Sequence, residues 1–334
     1  MKNLYLLSFG FIMFFVSCKN EIEPKPSFYY WKTIFNLNNE EKNILKENSI
    51  NKIYIRYFDV ALKDNIPLPL LPIIFKEQPE NLEIVPVIFI KNEVMLNQSL
   101  NTSDLADKIK NLIDQINKKN NLHIKEIQFD CDWSKQSRDN YFAFLSLFKT
   151  KFNCSLSATI RLHQIKYLKL AGIPNVDRGV LMYYNMSTLD SNDNLIYDRN
   201  IAKEYLKNLK DYPLKLDLAL PVYSWIIHRR NNKVLALYSK TDIEQFYLGN
   251  NFKTIRNNQV IVKNNLLKDG IFYKKGDIIQ IDVVQKKDLY EMIKDLGPKL
   301  KNTPNELIFY DLDPINLKPL SDEKRFFQKI CNSF

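Results

Sequence analysis

The run Glu126-Ile-Gln-Phe-Asp-Cys-Asp-Trp-Ser134 carries the densest set of side chains able to hold or move a proton in this sequence. In a strand, alternate side chains share a face, so Gln128, Asp130 and Asp132 are expected in line on one side. Three polar groups on one face of an otherwise apolar strand are costly to bury without partners. At the C-terminal end of a strand in a closed parallel barrel, such carboxylates point into a ligand cleft. The alternative is that both aspartates make structural hydrogen bonds or cap the next helix.

The elements that must position this block alternate along the chain. Strands are expected at Ser27–Thr33, Lys52–Ala61, Leu82–Lys91, Glu126–Trp133, Ser155–Leu162, Gly179–Met186, Leu216–Trp225 and Glu306–Asp313. Helical spacing falls between them, as at Leu105, Ile109, Leu112 and Ile116. Eight strands with crossovers long enough for parallel pairing predict an α/β fold, a (β/α)8 TIM-type barrel, with an open doubly wound sheet as the alternative. Residues 226–304 are too long for one loop, and they read as an α+β insertion after the seventh strand.

The N-terminus predicts an address. Lys2 precedes an apolar run from Leu4 to Val16, too short to span a bilayer but suited to a signal peptide. It ends in Phe15-Val16-Ser17-Cys18, similar to a lipobox, in which the cysteine is acylated and becomes the new N-terminus. The domain reading is therefore a lipoprotein signal peptide at 1–17, a tether at 18–27 and a barrel at 28–334. The expected place is the cell envelope, most simply the outer membrane, held through a lipid anchor on Cys18; plain secretion is the alternative.

Composition excludes other classes. The net charge of +10 comes from lysines spread along the chain, so a nucleic-acid partner is not expected. Seven glycines leave no phosphate-cradling loop. Four cysteines and three histidines, scattered, suggest no metal site and no cofactor. A monomer is expected, with Cys131 and Cys154 unpaired because they lie at opposite ends of neighbouring strands.

Asp130-Cys-Asp132-Trp133 resembles the fourth-strand signature of chitinase-type (family 18) glycoside hydrolases, Asp-x-x-Asp-x-Asp-x-Glu. Met182-Tyr-Tyr-Asn185 is similar to that family's sixth-strand Met-x-Tyr-Asp. Leu218-Ala-Leu-Pro-Val-Tyr-Ser-Trp225 resembles its seventh strand, which also precedes an inserted subdomain. Ile308-Phe-Tyr-Asp311 stands where its eighth strand places an aromatic floor. Ile127-Gln-x-Asp-x-Asp with Ser137-Arg138-x-x-Tyr141 and Leu156-Ser-x-Thr also looks like a bacterial lipoprotein family with a hydrolase-like barrel. The resemblance implies a glycan ligand. The sequence departs from it at the acid, because Ser134 stands in the glutamate slot and Ile127 in that of the first aspartate. A serine hydroxyl is no general acid near neutral pH.

Another carboxyl would have to serve. Glycoside hydrolysis needs two, about 5–5.5 Å apart for retention or 6.5–9.5 Å for inversion. The expected catalytic set is Asp132 as acid with Asp130 and Asp311, and Asp59 is a further strand-end carboxylate that Asp132 could face. Arg56 and Arg161 are expected to hold these ionised or to grip a substrate, or equally to stiffen the barrel as ion pairs. Tyr184 and Asn185 complete the polar set. Among Tyr30, Trp31, Trp133, Tyr184, Tyr223, Trp225 and Tyr310, half are expected to stack on sugar faces and half to fill the core. Trp31, Tyr223 and Trp225 are assigned to the substrate, with Trp225 the main platform. Two readings stand: a glycoside hydrolase-like enzyme, and a silent barrel that binds glycan or another ligand.

Overall fold

The computed structural model describes residues 23–248 and 250–334. Eight parallel strands close into a barrel: β1 (Lys25–Tyr30), β2 (Lys52–Lys63), β3 (Glu83–Ile90), β4 (Glu126–Asp130), β5 (Ser155–Arg161), β6 (Arg178–Met182), β7 (Leu216–Pro221) and β8 (Glu306–Tyr310). Closure runs through β1, which pairs with β8 at Phe28↔Phe309 and with β2 at Tyr29↔Tyr54. The expected TIM-type barrel is the observed one, and the open sheet is excluded.

Local sequence explains the layers. β3 (Glu-Ile-Val-Pro-Val-Ile-Phe-Ile) is apolar on both faces, as a strand covered on both sides must be. Asn101 caps the helix Thr102–Lys119 by accepting from Ser103 and Asp104 N–H, and the helix buries Leu105, Ile109, Ile113 and Ile116. The helix Arg138–Lys151 packs Phe144 and Phe148 edge-on against Phe129 of β4, with ring centroids 5.0 and 4.7 Å away.

The barrel interior is unusually polar. At the N-terminal end, the Arg178 guanidinium bonds Glu126 (2.6 Å), Glu306 (3.2 Å) and Asp217, while Lys52 reaches Glu306 (2.6 Å) and Glu126 (3.0 Å). Tyr54 and Ser27 hydroxyls donate to Glu306 as well. Above this layer the Tyr29 hydroxyl donates to Gln128 (2.7 Å). Burial pushes Glu126 up, but Arg178 and Lys52 outweigh it and hold this carboxyl below the usual range. Where branched aliphatic residues ordinarily fill such a barrel, a column of paired charges does so here.

Several boundaries differ from expectation. β1 begins at Lys25, paired with Glu306, so Lys25, Pro26 and Ser27 belong to the barrel and not to a tether ending at 27. Cys18 and the signal segment lie outside the described residues. The insertion begins at Ser224 and not at 226. Its antiparallel sheet takes the order Lys233–Ser239, Ser224–Arg230, Ile278–Val283, Gln259–Val262, Phe252–Arg256, and it has a core of its own around Val260, Ile279 and Ile281. The helix Lys286–Leu296, within the range 226–304 assigned to the insertion, buries Leu289, Met292 and Ile293 in the barrel's core instead. Cys131, Cys154 and Cys331 are unpaired.

Removing the central cation leaves three carboxylates in the barrel with only Lys52 to answer them. Arg178→Met is expected to lower unfolding free energy by about 3–5 kcal/mol, the cost of stripping one partner from a buried ion pair. Urea unfolding followed by circular dichroism checks this. A loss below about 1 kcal/mol, in the range of exposed pairs, would show that water already screens the network.

Candidate functional site

At the C-terminal ends of the strands the barrel opens into a cleft of about 400 Å³. Its floor is aromatic. The Tyr310 ring, at the end of β8, lies 5.6–5.7 Å from the rings of Trp31, Tyr29, Tyr184 and Tyr223. Trp225 extends this surface to the insertion, 5.5 Å from Tyr223. Asn185 takes a left-handed conformation (φ 60°), which asparagine tolerates better than most residues, and accepts a 2.6 Å hydrogen bond from the Tyr223 hydroxyl. Burial pushes the phenols of Tyr184, Tyr223 and Tyr310 well up, so they act as neutral donors.

The charges come in pairs. Asp130, last residue of β4, accepts from Thr159 Oγ1 (2.6 Å) and from the Arg161 guanidinium (3.1 Å), both on β5. Asp59 accepts from Arg56 Nε at 2.7 Å across a bulge in β2. Asp311 is buried and accepts from Asn316 Nδ2 (2.8 Å) and Lys240 Nζ (3.2 Å). Burial pushes the Asp311 carboxyl up while Lys240 pulls it down, and burial prevails. Burial alone would lower Lys240, but Asp311 and Asp313 outweigh it and hold its ammonium above the usual lysine range.

Of the residues expected at a site, Trp31, Asp59, Asp130, Arg161 and Tyr184 line the cleft, as do Asn185, Tyr223, Trp225 and Asp311. Arg56 stands behind Asp59. Asp132 is not in the cleft. β4 ends at Asp130, Cys131 and Trp133 turn into the core, and Asp132 between them faces solvent, its side chain 57% exposed and 3.6 Å from His163. The parity that would align it with Asp130 lapses with the strand. Trp133 stacks on Tyr141 and donates to Ala171 O (2.9 Å), and Tyr30 is buried with its hydroxyl on Ile34 O, so these two aromatics are core. Ser134 does not line the cleft either: its N–H donates to Ser137 Oγ at the start of the next helix.

With that geometry in place, solved structures supply a comparison. The chain is similar to the spore cortex-lytic enzyme SleL of Bacillus cereus, with TM-score 0.56 and 13% identity over 93% of this chain and 74% of that one. It is similar to the class V chitinase of Nicotiana tobaccum, with TM-score 0.55 and 12% identity over 93% and 98%. The chitinase-like agglutinin of Robinia pseudoacacia matches with TM-score 0.52 and 14% identity over 92% and 98%. The fold is that of the chitinase-type barrels. No protein-family model matches the sequence, and no curated protein does.

Sequence reasoning missed Lys240 and Asn316. Lys240 reaches the cleft from the insertion, and Asn316 from the turn after β8. Only Pro314, which opens that turn after the Asp313 cap, marked the second. Lys240→Met is expected to destabilise the protein by about 1–2 kcal/mol at neutral pH, less than a fully buried pair because Lys240 is partly exposed. Asp311, raised by burial, then rises further without its cation. The penalty is therefore present where Asp311 is ionised and fades as pH falls through its folded pKa. Chemical denaturation from pH 4 to pH 8 checks this, and a penalty growing toward acid would refute the pairing.

Proposed function

We propose that this protein binds an oligosaccharide in the mouth of its barrel and does not cleave it. The observation that carries the reading is that Asp59, Asp130 and Asp311, the carboxylates lining the cleft, each meet a cation: Arg56, Arg161 and Lys240. A carboxylate in an ion pair is a good acceptor for sugar hydroxyls but a poor proton donor, and a leaving alkoxide needs a proton. Ser134, in the slot of the family's acid, is engaged outside the cleft.

The aromatic floor suits such a ligand, since Trp31, Tyr310 and Trp225 offer faces to the CH surfaces of sugars. A class V chitinase of Nicotiana tobaccum with this fold is known in complex with NAG4. The Robinia pseudoacacia neighbour is described as an agglutinin. The address at the N-terminus belongs to the same proposal. A lipid on Cys18 would hold the chain where β1 begins, at the end of the barrel opposite the cleft, so the cleft would face away from the membrane. A second reading, hydrolysis with Asp311 as acid, is favoured by the rise that burial imposes on that carboxyl.

Titration calorimetry and a reducing-end assay with N-acetylglucosamine oligomers separate the readings. Binding without new reducing ends is expected. Trp225→Ala should weaken affinity about tenfold, the equivalent of roughly 1.4 kcal/mol, while Asp132→Asn changes it little. Turnover that disappears in Asp311→Asn would establish the second reading.

A further inference from the structure

We infer that a cavity behind Tyr223 is a further saccharide subsite, joined to the mouth cleft beneath a strap formed by residues 239–244. The inference extends the binding reading above and rests on it. The cavity, of about 280 Å³, lies between the insertion and the segment that follows β8. Tyr223 and Asn316 line both spaces, so a side-chain wall and one loop separate them.

That loop is the strap. Ser239 and Lys240 line the mouth cleft, and the next residues, Thr241 to Glu244, line the cavity behind. Lys240 has φ 54°, a left-handed conformation that lysine seldom adopts, where the chain leaves the strand Lys233–Ser239. The strap is tied on two sides. Lys240 Nζ lies 3.2 Å from both Asp311 and Asp313 on the barrel side. On the other, Lys318 reaches Asp242 (3.2 Å) and Glu244 (3.6 Å). Lys318 and Asp242 are 59% and 52% exposed, so the second tie is weak and readily released.

Asn316 supplies the independent observation. It is 6% exposed, and its Nδ2 donates to Asp311, which turns Oδ1 away from that carboxylate. Oδ1 is buried and accepts no hydrogen bond. A buried polar atom without a partner calls for an explanation. A hydroxyl-bearing chain threading from one space to the other, with the Lys318 tie released and Lys240 still held on Asp311, meets Oδ1 as an acceptor at the junction. The cavity walls suit the same chemistry, with Val222, Val284 and the Tyr223 ring for the CH faces and Ser224 and Thr241 for hydroxyls. Asp242 and Glu244 on its rim, with Lys318 answering one charge between them, leave that rim net negative and disfavour an anionic chain, so the ligand is neutral or amino-substituted.

Calorimetry with N-acetylglucosamine oligomers from the dimer to the hexamer tests the subsite. Affinity is expected to climb with length by about tenfold or more in the wild type, and the ratio of hexamer to dimer affinity to collapse toward unity in Thr241→Trp, which fills the cavity. Asn316→Leu, of similar size, should reduce that ratio too and guards against a misfolded tryptophan variant; thermal melting reports on both. A ratio that stays at the wild-type value in both variants, or a wild type indifferent to length, overturns the subsite while leaving the mouth-cleft reading intact. A wild type that binds no oligomer overturns the parent reading and the subsite with it.

Discussion

Charge pairing across neighbouring elements is the constraint on which this barrel depends. The strands turn Glu126, Asp130, Asp217 and Glu306 inward, and a closed barrel offers them little water. Each is answered from another strand: Arg178 and Lys52 serve the lower carboxylates, Arg161 serves Asp130. An unpaired charge in that interior would cost several kcal/mol, so these residues bind the strands to one another in a single register. The pairs that make the polar column tolerable also decide what the mouth of the barrel can do, because its carboxylates are satisfied before any ligand arrives.

The insertion takes part in the same arrangement. It contributes Lys240 to the Asp311–Asp313 side of the cleft, and Trp225 at its root prolongs the aromatic floor. Under the proposed reading, a cleft with walls from two cores, floored by Tyr310 and neighbouring rings, would meet the CH surface of a sugar with its rings and the hydroxyls with neutral phenols and paired carboxylates. Proton delivery would need a carboxyl freed from its cation, and Asp311, raised by burial, inclines that way.

The barrel was legible because its signal is distributed. Eight β-rich runs separated by helical spacing leave few alternatives, and all eight strands fall where apolar runs predicted them. Strand ends were less legible. Asp130 and Asp132 carry the same parity in sequence, yet the chain leaves the sheet between them, and Cys131 and Trp133 on either side of Asp132 are buried in the core. Periodicity tells which face a residue takes while the strand lasts and says nothing of where it stops. Lys240 and Asn316 were missed because they enter the cleft through loops, whose positions follow from packing of the insertion on the barrel. Trp225, by contrast, was readable from its place at the end of an apolar run beside a long insertion.

The central claim is that the cleft's carboxylates stay paired and the protein holds its ligand without protonating it. Carbon-13 NMR of aspartate-labelled protein, saturated with an N-acetylglucosamine oligomer at neutral pH, tests this most directly. The account predicts Asp311 as the carboxylate, its resonance assigned through Asp311→Asn and displaced in Lys240→Met. A protonated Asp311 in the bound state, with Lys240 withdrawn from it, would contradict the account and favour hydrolysis with Asp311 as the acid.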